Sequence, residues 1–400
     1  MKEDKNTQNK NTKVYVAVSG GVDSSVALAL LQEHGYDVTG VYFKTYKPDA
    51  NEKESREHCR QQGMDAQAVC KQLDVPFKVF DLEAEYEQKV FDYMIAGYKA
   101  GQTPNPDIMC NKEIKFGIFA ERAFADGADF IATGHYARLR REFRILNFEF
   151  RFNSLISKFL KLFFNKDSRF ITHDSVLCTA QDTNKDQTYF LSQVSQEVLA
   201  RTLFPIGEYD KSEVRKLAEQ YGLHTASKKD SQGICFIGQE IDVKSFLKKY
   251  IPEEVGDVLS MSGEVIGTHN GAKIITIGER HGFTINPSHK TTNMPRLFVI
   301  ERDIDKNTIT VGTLAELESK QHRSKASVQI SDVSWINEVP ESGKEYMCRI
   351  RHRGELYKCT YESDASKIHF IDTPYAPASG QFIALYDGER CLGGGAMMLI

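Results

Sequence analysis

The sequence predicts an α/β chain: a domain on a parallel sheet, then a small central domain, then a C-terminal β-barrel. Three observations predict it. Short β-branched runs alternate with helical stretches through the first half, and such alternation builds a parallel sheet covered on both faces. After about Phe204 the texture changes to one compact amphipathic helix and then short strands with turns. From about Ala326 to Ile400 a second all-β region follows, and a small barrel closes such a set without leaving edges. The expected domains are residues 1–205, with an insertion at 141–174, then 206–318 and 319–400.

The elements follow in order. Residues 14–18 (VYVAV) read as a strand, followed at once by SGGVDSS and the apolar-periodic VALALLQEHG. That is strand, glycine-rich turn and helix, with Gly35 ending the helix. DVTGVYF (37–43) reads as a second strand, 55–73 as a helix, and PFKVFDL (76–82) and ADFIATGHY (128–136) as further strands. KSEVRKLAEQYGL (211–223) reads as an amphipathic helix. Beyond Pro252, turns such as SGE and DKN suit hairpins.

Composition narrows the class. Of 400 residues, 41% are apolar and 26% charged, as in ordinary globular domains. The net charge of −4 gives no support to a strongly basic nucleic-acid binder, although a local basic face is compatible with it. The lead MKEDKNTQNKNTK has no apolar core of a secretory signal, lacks arginine and carries two acidic residues. A cytoplasmic protein with no membrane contact is expected, an organelle being the alternative although no clear presequence is seen. The eight cysteines show no CxxC spacing, which argues against a zinc site. Eight of the 24 phenylalanines fall between Phe143 and Phe170. Within that run NSLISKFLKLFF (153–164) has helical spacing, so the insertion reads as a helical or hairpin elaboration packing on the first domain, a divergent flexible loop and a tRNA-contacting or membrane-surface helix being the alternatives.

Two constellations carry chemistry. Ser19-Gly20-Gly21-Val22-Asp23-Ser24 lies between strand and helix. Its glycines let backbone N–H groups approach a phosphate, and the helix N-terminus adds positive character. Asp23 can help hold Mg²⁺, but the lysine of a GxxxxGK[ST] loop is absent. A βα turn without ligand is the alternative. The second constellation is a pair of cysteines. Cys110 follows the proline-stiffened GQTPNPDIM and stands beside Asn111 and Lys112, where a helix is expected to open. Cys235 lies in KKDSQGICFIG, flanked by apolar residues with two lysines upstream. Each cysteine alone reads as structural. With the phosphate loop the balance reverses, because replacing oxygen by sulfur needs ATP activation and two thiols.

The SGGVDS run resembles the pyrophosphate loop of the ATP-pyrophosphatase (PP-loop) enzymes. The stretches AVSGGVDSS, GQTPNPDIMCNKEIKFG, IATGHYAR, NKDQTYFLSQVSQ, RTLFPIG, KKDSQGICFIG, TIGERHGF and SGQFIALYDGERCLGGG run from residue 17 to 395. Together they resemble the MnmA family of tRNA-specific 2-thiouridylases. The resemblance implies a Rossmann-like PP-loop domain, with ATP at Ala17, Val18, Ser19, Gly20, Gly21, Val22, Asp23, Ser24, Phe43 and Gly134. It implies contact with the target uridine at Asn105, Pro106 and Asp107. Cys110 would be the nucleophile and Cys235 the persulfide carrier. Further tRNA contacts are implied at His135, Lys185, Asp186, Gln187, Arg351, His352 and Gln381. The implied reaction adenylates O2 of the wobble uridine with ATP and Mg²⁺, then installs sulfur delivered by a cysteine desulfurase or a sulfur carrier. A PP-loop ligase that amidates a small molecule, and a tRNA binder with a silent nucleotide site, are the alternatives. The insertion 141–174 departs from the family pattern, as do Glu279 and His281, where members often have glutamine and lysine.

Overall fold

A computed structural model describes residues 9, 11–45, 53–145, 171–229, 246–290, 294–324, 327–372, 374 and 377–398. Strands β1 (Lys13–Ala17), β2 (Asp37–Lys44), β3 (Phe77–Asp81) and β4 (Phe130–Thr133) belong to the first sheet. With the two-residue β7 (Thr202–Leu203) they lie in the order β3-β2-β1-β4-β7, every pairing parallel. Val14 and Val16 in the central strand are fully buried, as expected of a sheet covered on both faces.

Helix α1 (Val22–Glu33) starts directly after Gly21. It packs Val26, Leu28 and Leu30 into a core shared with Ala66 and Val69 of α2 (Lys53–Gln72). On the other face lie two composite helices. Helix α3 runs over 83–99, with a π-helical turn at Glu87–Phe91. Helix α4 runs over 106–125, with a π-helical stretch at Cys110–Ile118. Such wide turns often mark functional positions. Helix α4 opens at Pro106, with Asn105 as its N-cap accepting from the Ile108 N–H at 3.2 Å. This differs from the opening at Asn111 that the sequence suggests. The Asn-Pro pair decides it, since proline suits the first helical position.

A short helix, α5 (Thr188–Leu191), precedes α6 (Lys211–Gln220). Helix α6 has a capping box formed by Asp210 and Glu213. Its Val214 and Ala218, and Leu223 beyond, are buried in the same core as Val26 and Leu30. The core of the first unit therefore extends past residue 205.

Strands β5 (Arg138–Ile145) and β6 (Ile171–Cys178) pair antiparallel from Arg138↔Cys178 to Ile145↔Ile171. They form the base of the insertion expected at 141–174. The helix expected at 153–164 lies outside the described residues. The hairpin continues into the barrel through Cys178↔Arg390 and is not added to the parallel sheet. Strand β4 has no free edge for it, being paired with β1 on one side and β7 on the other.

The central unit holds β8 (Gly256–Leu259), β9 (Val265–His269), β10 (Phe283–Ile285), β11 (Phe298–Asp303) and β12 (Thr308–Gly312). Their order is β10-β9-β8-β12-β11. The expected hairpins β8–β9 and β11–β12 are present, and they meet through a parallel β8–β12 pairing. The last unit holds β13 (Ser327–Trp335), β14 (Glu345–Arg349), β15 (Tyr357–Glu362), β16 (Lys367–Phe370), β17 (Phe382–Asp387) and β18 (Arg390–Met398). Pairing runs β13-β16-β15-β14-β17-β18 and returns from β18 to β13, so the barrel closes. Alternate residues such as Tyr346, Cys348 and Ile350 fill it with Ile368 and Leu385.

One core joins the first unit to the barrel. Met94, Ile108 and Ile114 pack in the same cluster as Tyr189, Phe382, Tyr386 and Cys391. Among the described residues no helix is long and apolar enough to cross a membrane.

Candidate active site

The phosphate loop is shaped by close backbone contacts. Gly20 has φ of +73°, and a Cβ there would lie 2.5 Å from the Gln62 carbonyl oxygen. At Gly134, just past β4, a Cβ would lie 2.6 Å from the Ser24 nitrogen. Only glycine lets these segments meet. Ser24 Oγ donates to the Gly21 carbonyl at 3.1 Å and accepts from the Ser19 N–H at 3.2 Å. The Val18 N–H donates to the Val41 carbonyl at 2.9 Å, fixing the loop to β2.

The cations missing from the loop come from elsewhere in the chain. Lys211, the first residue of α6, places Nζ 2.7 and 2.9 Å from the two Asp23 oxygens. Tyr136 OH donates to Asp23 at 2.9 Å. Lys228 Nζ reaches the Gly20 carbonyl at 2.9 Å and Asp65 at 2.5 Å. Arg215, one turn after Lys211, holds the carbonyls of Ala226 and Lys228 at 2.8 and 3.1 Å. No spacing in the sequence marks these residues. Their role arises because α6 packs on α1.

Gly134, His135 and Tyr136 form a hub. Gly134 abuts the Ser24 backbone. The buried His135 bonds Thr133 Oγ1 at 2.7 Å, and its ring lies 5.8 Å from that of Phe116 on the Cys110-bearing helix. Burial, aided by Lys115, holds His135 well below the usual histidine range, so the ring is neutral at pH 7. The Tyr136 N–H donates to Gln187 Oε1, and the Gln187 N–H donates to the Tyr136 carbonyl, both at 2.9 Å.

The Asn105-Pro106-Asp107 turn is clamped from two sides. Arg302 of the central unit donates to the Gly101 carbonyl at 2.8 Å. From the barrel, the Ser379 carbonyl accepts from the Thr103 N–H at 2.8 Å, and Gln381 Oε1 lies 3.3 Å from Asn105 Nδ2. Burial raises the Asp107 carboxyl above the ordinary carboxylate range, with Lys115 opposing. Cys110 is buried within the second turn of α4.

Other expected site residues have different neighbours. Phe43 stacks obliquely on Phe119, with ring centres 4.7 Å apart. Asp186 is buried, accepting from the Ala180 N–H, Thr188 Oγ1 and Arg349, the last at 3.0 Å. It joins α5 to the barrel. His352 is held down to about 4 by burial and by Arg353. Cys235 lies outside the described residues.

Comparison with known proteins names the group. Residues 12–239 match a family model described as a tRNA methyl transferase HUP domain. Residues 244–313 match a PRC-barrel domain of the same name, and 325–397 an aminomethyltransferase β-barrel domain. A tRNA-specific 2-thiouridylase MnmA of Streptococcus thermophilus is 40% identical over 392 residues, 97% of this chain and 96% of the relative. The chain belongs to the MnmA family of tRNA-specific 2-thiouridylases. The MnmA of Lactococcus lactis is likewise 40% identical, over 386 residues, 96% of this chain and 94% of the relative. As a family member the chain is an ATP-using tRNA-uridine sulfurtransferase with a PP-loop domain. The domain descriptions speak of methyl transfer, whereas the full-length relatives are named for thiolation. Solved structures resemble it loosely. NMN synthetase from Francisella tularensis has a TM-score of 0.30 and 13% identity, over 60% of this chain and 73% of that one. A 4-thiouridine synthetase in complex with RNA and ATP has a TM-score of 0.29 and 15% identity, over 60% of this chain and 50% of that one.

Proposed function

We propose that the chain activates O2 of the wobble uridine in tRNA anticodons and replaces it with sulfur carried by Cys235. The observation that supports this best is the 134–136 hub, because it touches the phosphate loop through Gly134 and Tyr136 and the Cys110 helix through His135. Nucleotide chemistry and thiol chemistry thereby share one wall.

Residues 17–24 with Gly134 suit a triphosphate, since their backbone approaches closely and Lys211 and Lys228 bring positive charge. ATP supplies the adenylyl group that makes O2 a leaving group. Mg²⁺ would accompany its phosphates and neutralise their charge, and Asp23, which Lys211 and Tyr136 hold in place, is the loop carboxylate that would face it. Asn105, Pro106 and Asp107 hold the uridine, and the raised Asp107 carboxyl can carry a proton there. The terminal sulfur of a Cys235 persulfide attacks C2 and AMP departs. Cys110 then attacks the Cys235 sulfur, freeing the thiocarbonyl and leaving a Cys110–Cys235 disulfide, which an external thiol reduces. The persulfide sulfur comes from a cysteine desulfurase or a sulfur carrier, and the setting is the cytoplasm.

The test is reconstitution with ATP, Mg²⁺, a persulfide donor and unmodified tRNA, followed by nucleoside analysis. Wild type should yield 2-thiouridine, and Cys235→Ser and Cys110→Ser should yield none. A Cys235→Ser chain as productive as wild type removes the persulfide role. Tight tRNA binding without pyrophosphate release favours a non-enzymatic binder.

A further inference from the structure

Between the Cys110 helix and the barrel rim lies an aromatic pair. The rings of Phe190 and His352 are 4.4 Å apart between centres and tilted by 35°. Both residues are half-buried. Asn111, the residue after Cys110, donates from Nδ2 to the Phe190 carbonyl at 3.3 Å. Tyr189 fixes the other side, its OH reaching the carbonyls of Ile350 at 3.3 Å and Phe382 at 3.0 Å. The Tyr189-Phe190 dipeptide thus spans from the nucleophile's helix to the rim.

The surroundings of the pair are polar in one particular way. The fields of Arg353, Arg349 and Lys185 all act on His352, and Asp186 alone opposes them. Asp186 is itself held by Arg349 at 3.0 Å. Arg353 is exposed and sits in the left-handed region, at φ of +57°, where non-glycine residues are uncommon. Buried His352 Nδ1 has no hydrogen-bond partner. Neutral at pH 7, the His352 ring stacks as an aromatic group and adds no further positive charge.

A half-exposed stacked aromatic surface and a fringe of cations match a single-stranded nucleobase. Its face stacks and its phosphate meets the cations. Two rings are too little apolar area to hold a lipid, and an acidic peptide would have no use for the stacking face.

We propose that Phe190 and His352 form a stacking platform for the nucleobase adjacent to the target uridine, with Arg353 on its phosphate. This rests on tRNA being the substrate. It adds Phe190 and Arg353 to the site and gives His352 a definite task. One nucleotide step is the natural separation, because Phe190 is tied to the residue next to Cys110.

The experiment measures binding of an unmodified anticodon stem-loop RNA by fluorescence anisotropy. Matched RNAs carry an abasic nucleotide on either side of the target uridine. Wild type should bind one abasic RNA about tenfold more weakly, within the range for losing one stacked base. Phe190→Leu, which keeps the apolar bulk but not the ring, should bind intact RNA about tenfold more weakly and lose nothing more on that abasic RNA. Phe190→Tyr should restore binding. Arg353→Gln should lower the slope of log affinity against log salt by about one. Wild-type affinity that is equal for intact RNA and both abasic RNAs overturns the proposal and requires no variant. So does a Phe190→Leu loss that adds to the abasic loss. Thiolation assayed in parallel separates the two readings: a chain that makes 2-thiouridine yet ignores both abasic changes refutes the platform alone.

Discussion

The phosphate loop, through the 134–136 hub, and the barrel rim, through Gln381, both reach the Cys110 helix, and they are built in opposite ways. The loop is made of backbone: Gly20 and Gly134 approach neighbouring main chain, and Ser24 Oγ closes on Gly21. The rim is made of long side chains, and its bonds cross from one unit to another: Asn105 to Gln381, Asp186 to Arg349, Tyr189 to the Phe382 carbonyl. A site made of backbone can be written in a few adjacent residues. A rim made of side chains needs partners that the chain brings together only on folding. Changes in the loop should therefore damage chemistry and leave RNA affinity alone. Changes at the rim should damage the junction and the grip on RNA.

The largest effect should follow from Lys211→Met. It removes the ammonium beside Asp23 while leaving the rim intact. Pyrophosphate release should fall by about a thousandfold, comparable to losing a preorganised charge-stabilising donor. Affinity for tRNA, measured in the same preparation, should be unchanged. A parallel fall in both would merge the two regions into one.

Next is Asp186→Ala. Arg349 retains only 14% side-chain exposure in this pair and Asp186 only 3%. Removing the carboxylate leaves a buried guanidinium without its counter-charge, costing about 3 kcal/mol. Urea unfolding should show that loss, and Arg349→Met in the Asp186→Ala background should recover much of it. A loss of tRNA affinity at unchanged stability would instead make Asp186 a direct RNA contact.

The smallest effect concerns pH. His135 is buried and its pKa is depressed, by burial first and by Lys115 second. The unfolded chain therefore takes up a proton near the ordinary histidine pKa of about 6.5, while the folded chain does not. Stability contributed by the neutral ring is present above that pH and is lost as pH falls below it, by roughly 1 kcal/mol per unit. The slope of unfolding free energy between about pH 6.5 and 5 should flatten in His135→Gln. An unchanged slope would assign the acid sensitivity to other groups.

Legibility in the sequence follows the same division. The strand-loop-helix at 13–33 is readable because β-branched residues, glycines and an apolar helix follow one another directly. The turn at 103–107 is readable because prolines restrict it, yet its helix opens at Pro106 and not at Asn111. The hairpin base of the insertion attaches to β18 at Arg390, just ahead of the stretch from Gly393 to Met398 that pairs with β13, a choice no local pattern encodes. Lys211 and Lys228 cannot be read as phosphate-loop partners. They stand 188 and 208 positions from Asp23 and Gly20 respectively, and meet them only through the packing of α6 on α1.

By itself the sequence determined the order of units, the strand-loop-helix at 13–33 and the proline-stiffened turn before Cys110, since local conformational preference and residue chemistry act over a few neighbours. The tertiary structure alone decided which cations serve the loop, which barrel residues clamp the Asn105 turn, and that Phe190 meets His352 beside the Cys110 helix. Those contacts depend on how buried faces of distant elements fit together, and no short pattern in the chain encodes that fit.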